Sequence, residues 1–302
     1  MHMKHIKRIG LVFGILLGLI LIFGTQLDTE SELNKTVQTS CQIKTERYQN
    51  RSVFVISPQS DVAKTKQYIL YLHGGSYMGA MTSEHWQLYQ DLVQDLGCTI
   101  IAPDYPLTPK YDYQDVEKMM LPFYEELITK INPENLVVMG DSAGGGLALA
   151  ILEKEGEKNI PMPQKLILLS PWLDVRLKNP QIDEVQKNDP VLKKEILKIA
   201  GEIYARKDGM QDLFVNPIDG YLAALPEVTV YTGTYDILNP DAHLFKERME
   251  TAGKTIYWKE YEKAVHIWIL QREPGKKADQ AQKAYQDLVK ELKMKEEGES
   301  QS

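Results

Sequence analysis

Four consecutive apolar residues, Leu136-Val137-Val138-Met139, run straight into Gly140-Asp141-Ser142-Ala143-Gly144, and soon after comes Leu147-Ala148-Leu149-Ala150. A strand that is apolar on both faces has to be covered on both, which is the situation of a strand inside a parallel sheet flanked by helices. The same unit recurs along the chain. Apolar or β-branched runs predict strands over 53–56, 68–72, 99–103, 136–139, 166–169, 228–232 and 256–260, and amphipathic stretches predict helices over 83–96, 113–131, 143–153, 190–205, 241–252 and 277–293. This alternation predicts an α/β fold with a mostly parallel central sheet and helices on both faces. In such sheets reacting groups gather beyond the carboxyl ends of the strands. One connection breaks the pattern, because about sixty residues separate Leu169 from Val228, too many for a plain crossover. The stretch around 175–225, with a helix and the turn-rich Asn216-Pro217-Ile218-Asp219-Gly220, is expected to form an inserted helical cap over the sheet edge.

Composition narrows the function classes. The 302 residues carry 35 Lys plus Arg against 42 Asp plus Glu, a net charge of −7. That argues against a nucleic-acid partner, whose phosphates require a basic face. With 43% hydrophobic and 25% charged residues, the chain is neither disordered nor a coiled coil. Two cysteines, Cys41 and Cys98, are too few for a disulfide scaffold or a Cys-based zinc site. Whether they pair is left open, and Cys98, between a helix and a buried strand, is expected as a free buried thiol.

Lys4, Lys7 and Arg8 precede an uncharged run over 9–24, about 24 Å long as a helix and close to spanning length once 25–27 are added. No small-residue cleavage site follows, so 1–27 is expected to be an uncleaved signal anchor rather than a cleaved signal. Either would export the rest of the chain. Residues 28–50 are expected as a stalk and start of the cap, 51–290 as the α/β domain, and 291–302 as a frayed charged tail.

The chemistry falls at the predicted strand ends. Gly140-Asp141-Ser142-Ala143-Gly144 fits G-x-S-x-G between a strand and a helix, a context that exposes a strained nucleophilic serine. The nearby helix N-terminus favours negative charge, and the lysine of a phosphate loop is absent. After the strand 68–72 comes His73-Gly74-Gly75-Ser76-Tyr77. Its glycine N–H groups suit an oxyanion, with Gly74 and Gly75 as donors and Ala143 as the third. His73 is expected to order this loop rather than act as base. The acid and base should follow the serine in chain order. Asp236 lies just past the strand 228–232 and His266 just past 256–260. Asp241, the rival acid in Asn239-Pro240-Asp241, reads more like a helix N-cap. His85 falls in a helix, and His243 is expected to be a solvated helix residue.

These segments, together with Asp104-Tyr105-Pro106-Leu107-Thr108-Pro109 and Ser170-Pro171-Trp172, run in order across about 66–270. In them the chain resembles α/β-hydrolase fold carboxylesterases of the bacterial hormone-sensitive lipase type. The resemblance implies Ser142, Asp236 and His266 as a catalytic triad and Gly74, Gly75 and Ala143 as an oxyanion hole. It also implies a helical cap drawn from the segment before Tyr68 and from the insertion. Two positions depart from the family pattern: Ser76 stands where a third glycine is usual, and Ile267 follows the base where glycine is frequent. Asp104–109 is expected to be a packed structural loop with Asp104 hydrogen-bonded within it.

The function expected is that of a membrane-anchored, outward-facing serine carboxylesterase for short- to medium-chain acyl esters, with no metal or organic cofactor. Its partners would be a small acyl ester and, through the N-terminal segment, the membrane; homodimerisation stays open. An amidase or deacetylase, a lipase working at the membrane surface, and a non-catalytic binding protein are the alternatives, because leaving-group specificity lies in the cap rather than the triad.

Overall fold

Eight strands form one sheet in the order β1-β2-β4-β3-β5-β6-β7-β8. They are β1 (Cys41–Tyr48), β2 (Arg51–Pro58), β3 (Tyr68–Leu72), β4 (Thr99–Pro103), β5 (Leu136–Asp141), β6 (Lys165–Leu169), β7 (Glu227–Tyr235) and β8 (Ile256–Val265). This computed structural model describes residues 40–60, 65–272 and 278–293. The expected signal anchor, most of the expected stalk and most of the expected tail lie outside the described residues. Among the described residues no helix is long and apolar enough to cross a membrane.

From β4 to β8 every neighbouring pair is parallel, while β1 with β2 and β2 with β4 are antiparallel. Alternate residues of the central strands feed two cores. Leu70, Leu72, Val138, Leu166 and Leu168 face one side, and Ile69, Tyr71, Val137, Met139, Ile167 and Leu169 the other. Helices α1 (Ser83–Leu96) and α7 (Ala278–Lys293) cover the second face. Helices α2 (Tyr113–Lys130), α3 (Ala143–Glu157), α5 (Lys194–Gly209) and α6 (Asn239–Thr251) cover the first. A single turn, α4 (Ile182–Val185), precedes α5. Both faces of the inner strands are buried, so their sequences are mostly apolar runs rather than alternating.

The segment 41–48, expected as stalk, is instead the outer edge strand. Gln42, Lys44, Glu46 and Arg47 leave little apolar alternation to read, and most of its side chains are exposed. What makes it a strand is its ladder to β2, closed by a two-residue turn in which Gln49 and Asn50 both have positive φ (45° and 66°). That is the conformation whose twist matches a hairpin, and without an Asn-Gly pair it leaves a faint signature. The described chain before Tyr68 is this hairpin, so within the described residues it gives no helix to a cap. The insertion between β6 and β7 carries α4 and α5. Leu197, Ala200 and Tyr204 of α5 are buried in the same core as Tyr77 and Tyr113. Helix α5 starts at Lys194 rather than 190, because the Asp189 carboxylate accepts the Val191 and Leu192 N–H groups (2.7 and 2.9 Å) in a turn before it. Cys41 and Cys98 are both free buried thiols in the second core, and burial pushes the Cys98 thiol up to about 12.

Candidate active site

The strand order decides which loops meet. β3 and β5 are neighbours in register, Leu72 beside Gly140, so the loop from His73 and the turn at Ser142 leave the sheet side by side. β7 and β8 are likewise paired, Thr232 beside Glu260, and deliver Asp236 and His266 to the same edge.

Ser142 follows β5 at φ 51°, ψ −121°, outside the basins that L-residues prefer, a strain on the order of 1–3 kcal/mol. The turn closes only because of its small neighbours. A Cβ on Gly144 would collide with the Leu72 and His73 carbonyls, and one on Gly140 with the Gly144 carbonyl. The Ser142 N–H donates to the Leu169 carbonyl (2.9 Å), and its own carbonyl accepts the Trp172 N–H (2.8 Å).

His266 Nε2 lies 3.0 Å from Ser142 Oγ, and His266 Nδ1 lies 2.8 Å from Asp236 Oδ2. All three side chains are buried. A carboxylate accepts at Nδ1, so the imidazole proton sits there and Nε2 is left to accept from the serine hydroxyl. Burial alone would lower the His266 pKa. The Asp236 charge, its hydrogen bond and the charges of Asp189 and Asp141 outweigh that and hold it above its ordinary value of 6.5. Asp236 is fixed in turn: its Oδ1 accepts the Leu238 N–H at 2.9 Å. Asp241, the rival acid, is buried on α6 rather than capping it, and burial raises it to about 7.

The oxyanion loop needs one correction. The Gly74 N–H points at Asp141 Oδ1 (3.0 Å) and is therefore committed. Among the described residues the N–H groups of Gly75, Ser76 and Ala143 have no acceptor, so the candidate third donor is Ser76 rather than Gly74. Gly75, Ser76 and Tyr77 have φ of 118°, 55° and 61°. Only Gly75 is free of a Cβ, and one there would press on the Gly79 carbonyl at 2.6 Å. Distant groups hold this run. The Tyr77 carbonyl accepts the Thr108 N–H (2.8 Å) and hydroxyl (3.1 Å). The Tyr77 ring stacks on Tyr204 of α5 with centroids 3.6 Å apart at 2°.

Asp141 is a hub that sequence reasoning missed. Its Oδ1 also accepts the Tyr71 hydroxyl (2.9 Å) and His85 Nε2–H (3.1 Å), while His85 Nδ1 accepts the Thr82 N–H (3.0 Å). Burial works against its charge, but the His85 ring and these hydrogen bonds hold its pKa below the usual carboxylate value. His85 therefore braces the site rather than merely lying in a helix. His73, as expected, orders its loop. Its Nδ1 lies 2.7 Å from the Gly74 carbonyl, its ring stacks on Tyr105 at 4.4 Å, and burial lowers its pKa to about 4. His243 is not simply solvated but pairs with Glu260 at 2.6 Å. Asp104 is held from β2 rather than only within its own loop, by Arg51 at 2.7 Å. Ile267 sits at φ 45°, a left-handed position that explains why glycine suits it, and its N–H donates to Ser170 Oγ (3.1 Å).

A family model for the alpha/beta hydrolase fold matches residues 69–270. An esterase of Acinetobacter venetianus is 33% identical over 202 residues, covering 66% of this chain and 66% of that protein, just short of two thirds of its length. An acetyl-hydrolase of Streptomyces hygroscopicus is 26% identical over 201 residues, 66% of this chain and 67% of that one. Among solved structures, a Staphylococcus aureus protein assigned as an esterase superposes with a TM-score of 0.80 at 27% identity, covering 88% of each chain.

Proposed function

This chain belongs to the alpha/beta hydrolase fold family, and from that membership we propose that it is a serine carboxylesterase for short- to medium-chain acyl esters. The observation that carries the reading is His266 held between Ser142 Oγ at 3.0 Å and Asp236 at 2.8 Å. In this reading His266 takes the Ser142 proton as Oγ attacks the ester carbonyl, and Asp236 stabilises the imidazolium that forms. The N–H groups of Gly75, Ser76 and Ala143 receive the oxyanion of the tetrahedral intermediate. Collapse expels the alcohol, which takes its proton from His266. Water activated by the same histidine then hydrolyses the acyl-enzyme.

The acetyl-hydrolase name of the Streptomyces relative points to the short end of the acyl range. The basic flank and apolar run over 9–24 support a tethered, exported catalytic domain, which peptide mapping of the mature N-terminus would test.

The test of function is hydrolysis of p-nitrophenyl esters from acetate to palmitate by the wild type and Ser142→Ala. The reading expects a maximum at short chains and no turnover by the variant. A folded wild type silent on every ester, yet active on an acetamide, would transfer the same chemistry to the amidase reading.

A further inference from the structure

We propose that Asp189, from the inserted segment, is a positioning residue for the acid–base pair. It ties the loop that carries Asp236 and adds negative charge behind His266. The proposal rests on the esterase reading above and deepens it.

Asp189 is a buried carboxylate with both oxygens engaged. Oδ1 accepts the N–H groups of Val191 (2.7 Å) and Leu192 (2.9 Å), shaping the entry to α5. Oδ2 accepts the N–H of Ile237 at 2.9 Å. Ile237 follows Asp236 directly, and the next N–H, from Leu238, is bound by Asp236 itself. The peptide planes on the C-terminal side of Asp236 are therefore held from two directions, one local and one from the insertion. A carboxylate suits this task because it accepts at both oxygens and donates nothing. Its hydrogen bonds from neutral N–H groups are charge-assisted. Burying it there has an electrostatic consequence as well. The largest charge effects on His266 come from Asp236 in the loop after β7, Asp189 in the insertion and Asp141 at the end of β5. All three are acidic, and each favours the imidazolium that forms as Ser142 attacks. Asp141 already faces His85 and Tyr71, and Asp236 touches the ring itself. Asp189 links the insertion to the loop of the acid, as Tyr204 links it to the oxyanion loop.

The experiment compares wild type, Asp189→Asn and Asp189→Ala on p-nitrophenyl acetate across pH, with circular dichroism as the check on folding. Asparagine keeps one acceptor oxygen and the shape but loses the charge. The expected kcat loss for Asp189→Asn is on the order of 10- to 100-fold, the scale set by a misplacement of about 1 Å, with KM little changed. The acid limb of kcat/KM should move to lower pH, since removing a nearby negative charge lowers the pKa of His266. Asp189→Ala should lose more kcat and show the same displacement of the limb. A second readout needs no variant: amide exchange at Ile237 in the wild type should be slow. An Asp189→Asn protein with wild-type kcat and an unmoved limb, altered only in thermal midpoint, would overturn the proposal, and so would fast exchange at Ile237. Activity retained by Ser142→Ala, or absent from the wild type, would sink the esterase reading and this proposal with it.

Discussion

The nucleophile turn at Ser142 and the oxyanion loop at Gly75–77 are both strained strand ends, and they are held in opposite ways. At the turn, φ of 51° at Ser142 is accommodated by Gly140, which leaves room for the Gly144 carbonyl, and by Gly144, which leaves room for the carbonyls at the end of β3. At the loop, three successive residues have positive φ and two of them carry side chains. Local help is limited to Gly75, whose carbonyl accepts the Met78 and Gly79 N–H groups (2.9 and 2.8 Å). The conformation is held by Thr108, by Tyr204 from the insertion and by Asp141 through Gly74. A locally encoded turn announces itself as a motif, whereas a loop held by tertiary contacts does not.

The largest effect on the oxyanion loop should come from Asp141→Ala. It releases the Gly74 N–H, the Tyr71 hydroxyl and His85 together. Losing the aim of one oxyanion donor costs about 10²- to 10³-fold in kcat, and that is the fall expected in steady-state kinetics, with KM little changed. Next comes Tyr204→Ala, which removes the ring stacked on Tyr77. The expected cost is about 3–5 kcal/mol of stability, as for other large buried aromatics, read by denaturant unfolding, with kcat falling as the loop relaxes. Tyr204→Phe keeps the stack and should restore both. Ser76→Ala should sharpen the contrast by doing little. If the backbone N–H is the donor, kcat should stay within about threefold, far from the loss that removal of a true donor brings.

The smallest effect on turnover should come from Asp241, which lies away from the loops compared. Burial raises it to about 7 from 3.8. A carboxyl raised in the folded state contributes stability below its unfolded pKa and loses it as pH rises through the folded value. Asp241→Asn should therefore match the wild type near pH 4 and exceed it at pH 8 by on the order of a few kcal/mol, while kcat stays unchanged. Thermal unfolding at the two pH values checks this.

The same contrast explains what could be read from the sequence. The inner strands were legible because burial on both faces writes a nearly unbroken apolar run, and Ser142, Asp236 and His266 could be proposed together because each lies just past a predicted strand, even though β8, before His266, is a half-exposed edge strand. The edge strand Cys41–Tyr48 was not, since its stability comes from pairing with β2 rather than from its own side chains. Gly74 was taken for an oxyanion donor because glycine spacing says which N–H groups are accessible but not which are already bound. The partner that claims it, Asp141 Oδ1, is 67 residues away. Asp189 and His85 were missed for the same reason, as their roles exist only once distant segments meet.

The proposed activation of Ser142 by His266 underlies every step of the reaction. It is tested most directly by labelling the intact protein with a fluorophosphonate and mapping the adduct by mass spectrometry. One adduct per chain is expected, on the peptide containing Ser142. Its rate should fall as pH drops through the pKa of His266, which lies above 6.5, and it should vanish in His266→Ala. An adduct on another serine, or labelling of Ser142 unaffected by loss of His266, would contradict that activation.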